Sequence, residues 1–176
     1  NTNITYKILF NDAVAMTGGQ SHEGDLSADE IIKELIAAGV KRVVGVFDEK
    51  EEFDLNHYRK LCEMVPRSEL MRIQEELAAT SGVTAIVYIQ TCAAEKRRRR
   101  KRGLFPDPNR RIFINSEVCE GCGDCGVQSN CVSILPEETE LGRKRKIDQS
   151  SCNKDFSCVS GFCPSFVSVV GAEVKK

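Results

Sequence analysis

The chain has 176 residues with a net charge of −1, 29% charged and 41% apolar residues, and no tryptophan. That size allows one ordinary domain, or a medium domain with a small one. The composition excludes a membrane span of continuous apolar residues, and the near-zero charge gives no global reason to expect a nucleic-acid partner. Nine cysteines is a high count, and seven of them fall within residues 119–163. There is no signal-peptide pattern, so the expected location is cytoplasmic. The first residues, N-T-N-I-T-Y-K-I-L-F, lack a starting methionine and run at once into an apolar stretch, which reads as a piece of a longer polypeptide.

Residues 4–10 form a β-rich run ended by Asn11-Asp12 and are expected as a buried strand. A polar, glycine-containing loop follows through Gly24. Ser27 with Glu30 fits a capping box and opens a helix carrying Ile31, Ile32, Leu35 and Ile36 on one face, stopped by Gly39. Residues 42–47 read as a second buried strand, whereas 55–65 are ambiguous. Pro66 and Ser68 precede a helix with Leu70, Ile73 and Leu77 at helical spacing, stopped by Gly82, and 83–89 supply a third strand. Strands alternating with amphipathic helices predict a parallel α/β sheet, and ligands collect at the carboxyl ends of such strands. Asn11–Gly19 lies at one such end and Thr91-Cys92 at another.

From Glu95 the composition changes. K-R-R-R-R-K-R occupies 96–102, followed by G-L-F-P-D-P-N, and a new strand begins at 111–115. The expected organisation is an α/β unit over 1–92, a basic linker over 93–110, and a small cysteine-rich unit over 111–176. A unit that small needs a staple other than its apolar core.

The cysteines supply a candidate staple. Bacterial iron–sulfur runs follow C-x2-C-x2-C-x3-C-P, and in two-cluster proteins the fourth cysteine of each run serves the other cluster. Cys119, Cys122 and Cys125 keep the x2 spacing, and Cys131 follows after five residues. In a degenerate second copy, Cys152, Asp155 and Cys158 keep the same register, and Cys163-Pro164 closes it after four. Small residues such as Gly121 and Gly123 let a loop approach the sulfides closely. Crossing the ligands assigns one cluster to Cys119, Cys122, Cys125 and Cys163. The other falls to Cys131, Cys152 and Cys158, with Asp155 facing the fourth iron. A hard oxygen ligand holds that corner weakly, so an aspartate-bound 4Fe-4S cluster or a 3Fe-4S cluster is expected. Cys92 is a rival eighth ligand across the basic segment. Zinc and disulfides are the competing uses: zinc usually takes two C-x2-C pairs, and seven thiols cannot all pair with one another. Cys62 reads as a small buried hydrophobe.

Taken with N-D-A-V-A-M-T-G-G-Q (11–20) and Q-T-C-A-A-E-K-R-R-R-R-K-R-G (90–103), the cysteine pattern resembles the indolepyruvate ferredoxin oxidoreductases. These belong to the thiamine-diphosphate-dependent 2-oxoacid:ferredoxin oxidoreductases. The resemblance extends over essentially the whole chain and is densest at 5–20 and 88–166. It implies the C-terminal part of a thiamine-diphosphate-binding α/β domain followed by a small α+β ferredoxin-like domain with two iron–sulfur clusters. It puts magnesium on the Asn11 side chain and the Ala13 carbonyl, and brings Met16 and Thr17 close to the thiamine diphosphate. His22 is a weaker candidate near substrate. The family's Gly-Asp-Gly motif is absent, since only ten residues precede Asn11.

The activity implied is oxidative decarboxylation of an aryl pyruvate to an acyl-coenzyme A, with electrons leaving singly through the clusters to ferredoxin. The other partners implied are the remaining domains of the same enzyme. This piece alone is expected to be inactive. The basic run is expected to dock a subunit, an acidic ferredoxin or coenzyme A phosphates. Nucleic acid ranks second because no stacking aromatics flank the run. The alternative is a stand-alone iron–sulfur electron-transfer or regulatory protein.

Overall fold

A computed structural model describes residues 2–11, 13, 14, 17–20, 23, 24 and 26–171. The chain divides into two units, Asn1–Cys92 and Ala93–Lys176.

In the first unit four parallel strands, β1 (Ile4–Phe10), β2 (Arg42–Phe47), β3 (Glu63–Pro66) and β4 (Val83–Ile89), stand in the order β1-β4-β2-β3. Parallel strands need crossovers, and these are helices α1 (Ala28–Ala37), α2 (Leu55–Arg59) and α3 (Leu70–Ala79). At the start of α1 the expected capping box is formed, with the Ser27 N–H donating to the Glu30 carboxylate at 2.8 Å. Gly39 follows the helix with φ of 82°, a left-handed conformation that glycine takes without a Cβ penalty.

Side-chain alternation along β2 sends Val44 and Val46 to one face, where they pack with Ile86 against Ile73 and Leu77 of α3. Val43 points to the other face and packs with Val87 against Ile32 of α1. Both faces are therefore covered, as a parallel sheet requires. The ambiguous stretch 55–65 resolves into the five-residue α2 and the start of the four-residue β3.

The expectation of a buried first strand is corrected. β1 stands at the sheet edge and pairs with β4 alone, so Ile4, Tyr6 and Leu9 are exposed. Its apolar composition matches a central strand, but only one of its two edges is hydrogen-bonded within the described residues.

The second unit opens with α4 (Ala93–Lys101), so the segment expected as a linker begins as a helix of this unit. Strand β5 (Arg110–Ile114) pairs antiparallel with β8 (Phe166–Val170). Between them lie α5 (Asp124–Ser129) and the hairpin β6 (Ile134–Thr139) and β7 (Gly142–Ile147). A short 3-10 turn covers Ser157–Val159. Few apolar side chains are fully enclosed: Ile112 is 2% exposed, while Val127, Val132, Leu141 and Phe162 are each at least 70% exposed. Among the described residues no helix is long and apolar enough to cross a membrane.

Candidate metal centre

Two loops of the second unit share one backbone plan. In the first, Gly121 and Gly123 have φ of 72° and 88°, and α5 begins at the next residue. In the second, Lys154 and Phe156 have φ of 55° and 60°, and the 3-10 turn begins at the next residue. The left-handed positions thus fall two and four residues after Cys119 in one loop and after Cys152 in the other. L side chains rarely adopt this conformation, and it costs about 1–2 kcal/mol at a residue that is not glycine. The second loop carries that cost twice.

The shared conformation turns matching N–H groups toward matching sulfurs. Gly121 N–H donates to Cys119 Sγ at 3.4 Å, and Lys154 N–H donates to Cys152 Sγ at 3.4 Å. Asp155 then stands where Cys122 stands, and Cys158 where Cys125 stands. The internal duplication read from the cysteine spacing is therefore present in the backbone.

Cys119, Cys122, Cys125 and Cys163, the four thiols assigned to one cluster, line a single cavity of about 370 Å³. Cys158 also reaches its wall, and the exposed Phe162 and half-exposed Val118 stand at its lining. Ser165, itself 1% exposed, lies 3.0 Å from Cys163 Sγ through its hydroxyl. Gly121 is required twice over: its φ is positive, and an added Cβ would lie 2.3 Å from the carbonyl oxygen of Arg143 on β7. The first loop is therefore pressed directly against the hairpin.

The second group is joined electrostatically. Burial pushes the Cys158 thiol up to about 11, and the neighbouring Cys131, Cys152 and Asp155 push in the same direction. Cys125 is also raised, first by burial, with Cys122 and Cys119 adding to the effect and Arg145 opposing it. Each set of predicted ligands thus contains a thiol whose ionisation is opposed by members of its own set. The raised thiols are thereby held in their protonated form, and ionising either set requires a compensating positive charge. The Asp155 carboxylate accepts the Ser157 N–H at 3.3 Å and lies 3.1 Å from the Ser157 hydroxyl.

All nine cysteines are free thiols. Among the described residues, no group of three or more His, Cys, Asp or Glu side chains is gathered tightly enough to hold a single metal ion. The thiols form the walls of a space rather than converging on a point. Cys92 is exposed, and Cys62 is half-buried with its thiol raised mainly by burial, in keeping with a packing role.

The upstream candidates lie in the first unit. Asn11 follows β1, and its side-chain oxygen accepts the N–H of the buried Ala13 at 3.2 Å. The Thr17 hydroxyl donates to the Val14 carbonyl at 2.7 Å and accepts the Gln20 N–H at 3.2 Å, so it braces its own loop. Met16 and His22 lie outside the described residues. Asn11 and the Ala13 carbonyl can offer two oxygens where magnesium takes six, so the described residues alone do not make a magnesium site.

Sequence reasoning placed Thr91 at the carboxyl end of a strand but missed the acidic groups that face this end, Asp48 after β2 and Glu51. The 8%-exposed Asp48 accepts a hydrogen bond from Gln90 Nε2 at 2.7 Å, and the Glu51 carboxylate accepts from both the N–H and the hydroxyl of Thr91. The available signal was an acidic residue immediately after a buried strand. None of the sequence families, curated proteins and solved structures compared with this chain matches it.

Proposed function

We propose that the second unit is an iron–sulfur electron-transfer domain holding two clusters, with Cys119, Cys122, Cys125 and Cys163 as ligands of one. Cys131, Cys152 and Cys158, with Asp155, are the ligands of the other. The observation that carries this reading is the repeated loop: two copies of one left-handed backbone plan, each turning an N–H onto its first cysteine, each followed by a helical turn bearing another. Soft thiolates select iron–sulfur clusters, and N–H groups directed at sulfur tune their potentials. A cavity walled by five thiols, four of them the ligands assigned to one cluster, fits a multi-atom cluster better than a single ion. Such clusters supply one-electron transfer; the chain's part is to hold them, exclude water and set their charge surroundings.

The wider reading is that this chain is part of an indolepyruvate-type 2-oxoacid:ferredoxin oxidoreductase. A parallel sheet ahead of the cysteine unit, with Asn11 and Ala13 at the carboxyl end of β1, supports it. The exposed apolar edge strand β1 is compatible with a sheet that continues. In this reading Asn11 and Ala13 would supply part of the magnesium and thiamine diphosphate site, and the clusters would carry the two electrons of the oxidation singly to ferredoxin.

Anaerobic loading of the full chain with ferrous iron and sulfide tests the cluster reading. A brown protein with iron and sulfide in near-equal amounts and cluster-type EPR signals on reduction is expected. A colourless protein that binds zinc stoichiometrically instead would overturn it. Assay of the intact polypeptide with indolepyruvate, coenzyme A and ferredoxin tests the wider reading, and absence of turnover there would leave the stand-alone electron carrier.

A further inference from the structure

The basic run 96–102 is not an array of solvated charges. Helix α4 turns part of it inward. Glu95, 7% exposed, is paired with Arg98 Nη1 at 2.6 Å and Arg99 Nε at 3.1 Å. Arg100 extends to the second cysteine loop, where its Nη1 donates to the Asn153 carbonyl at 2.6 Å and its Nε to the Pro106 carbonyl at 3.0 Å. Arg97 donates to the Asn153 side-chain oxygen. Asn153 is the residue between Cys152 and the left-handed Lys154, so both arginines bond the turn that sets the direction of the Cys152 and Asp155 side chains. Phe105 lies under Arg100, 5.2 Å from the guanidinium carbon. On its other side the loop is tied through Lys154 to Asp107, which also accepts from Arg111 at 3.3 Å.

The first loop has a different brace. Gly121 and Gly123 adopt the left-handed conformation at little cost, and Lys144 Nζ donates to the Cys119 carbonyl at 2.6 Å. The second loop pays for the same conformation with Lys154 and Phe156, and it needs external bonds to hold it. The two arginines also bring positive charge. Burial is the largest influence on Arg100 and opposes its charge, while Asp107, Cys152 and Asp155 attract it.

We propose that Arg97 and Arg100 are positioning residues for the second cluster: they fix the Cys152–Asp155 turn through Asn153 and hold cationic charge beside it. The inference rests on the iron–sulfur reading and deepens it. An added electron makes a cluster more negative, so a nearby cation favours the reduced form and raises the potential of the second cluster relative to its value without the arginines.

The test uses the full chain in four forms: wild type, Arg97→Gln/Arg100→Gln, Arg100→Lys, and Lys101→Gln as an exposed control on the same helix. After anaerobic loading, iron retention against a chelator is followed together with EPR-monitored titration by dithionite. The double variant is expected to hold iron at the second site roughly 10-fold more weakly. Its second cluster should titrate at a more negative potential while the first is unmoved. Arg100→Lys should keep the wild-type potential, and Lys101→Gln should match wild type in both measurements. Equal retention and equal potential in the double variant would overturn the inference. Amide exchange at Lys154 in the iron-free chain is the second measurement. Faster exchange in the double variant supports the bracing role even if wild type takes up no iron, a result that would reject the cluster reading itself; unchanged exchange counts against the brace.

Discussion

Lys154 occupies in the second cysteine loop the place that Gly121 occupies in the first, with φ of 55° against 72°, and each donates its N–H to a thiol at 3.4 Å. The conformation is shared but its tolerance of side chains is not. Gly121 faces the Arg143 carbonyl, a rigid backbone atom 2.3 Å from where a Cβ would be. Gly121→Ala therefore combines left-handed strain with a collision, and it should cost about 3 kcal/mol or more. Lys154→Gly gains back the strain and loses the Asp107 ion pair, and should be close to neutral. Urea denaturation of the reduced chain, followed by circular dichroism, measures both. Comparable losses in the two variants would show that the loops are not constrained as described.

Asp155 aligns with Cys122 in the repeat, so Asp155→Cys completes a second all-thiolate set. Because oxygen is the harder and weaker ligand for iron, the variant should retain about one more iron per chain after exposure to chelator. Its EPR spectrum should move toward two similar clusters. Ser157, which bonds the carboxylate at 3.3 Å through its N–H, limits how freely Asp155 can turn. Iron content and spectrum both unchanged would make Asp155 a local turn-former only.

The strands and helices of the first unit were legible because each carries a period long enough to read. α1 and α3 repeat apolar residues every three or four positions, and β2 and β4 are continuous apolar runs bounded by glycine or charge. α2 and β3 were not, since five and four residues are too few to distinguish one period from another. Position within the sheet was equally hidden: Ile4, Tyr6 and Leu9 have a core composition, yet β1 is an edge. At the candidate site, the spacing of cysteines exposed the duplication because a turn around a cluster fixes residue intervals. It could not show that Cys158 reaches the wall of the first cavity as well as its own group, or that Arg97 and Arg100 bond Asn153 from more than fifty residues away. Those relations arise from tertiary proximity and leave no mark on local spacing.

A pH dependence is built into the first unit at Glu76. Side-chain hydrogen bonds from Arg42 and then Arg72 hold its carboxyl below the ordinary value of 4.5. Arg42 Nη2 is 3.1 Å away and also bonds Glu63 at 2.7 Å, so one guanidinium joins β2 to α3 and β3. The unfolded chain binds the proton more readily than the folded one. The stabilisation is therefore complete above about pH 4.5 and is lost as pH falls through the lower folded value. Glu76→Gln should lower stability near neutral pH and flatten the decline on acidification. Denaturation midpoints taken across the acid range compare the two slopes, and parallel slopes would remove Glu76 from the account.

Gly45 and Met64 are register partners on β2 and β3, and the space above the glycine is filled by the methionine side chain. A Cβ at position 45 would lie 2.2 Å from Met64 Sδ and 2.7 Å from its Cε. Methionine is flexible, but Met64 is only 9% exposed, so its thioether has little room to retreat. Gly45→Ala should cost about 1–3 kcal/mol through overpacking. In the double variant Gly45→Ala/Met64→Ala the obstacle is gone and the new methyl partly refills the space left by the thioether. Its cost should therefore be smaller than the two single costs added, by roughly 0.5–3 kcal/mol. Thermal or urea unfolding of the three variants supplies the cycle. Strict additivity would mean that β3 shifts as a whole to admit the methyl, and that Met64 does not determine the residue opposite it.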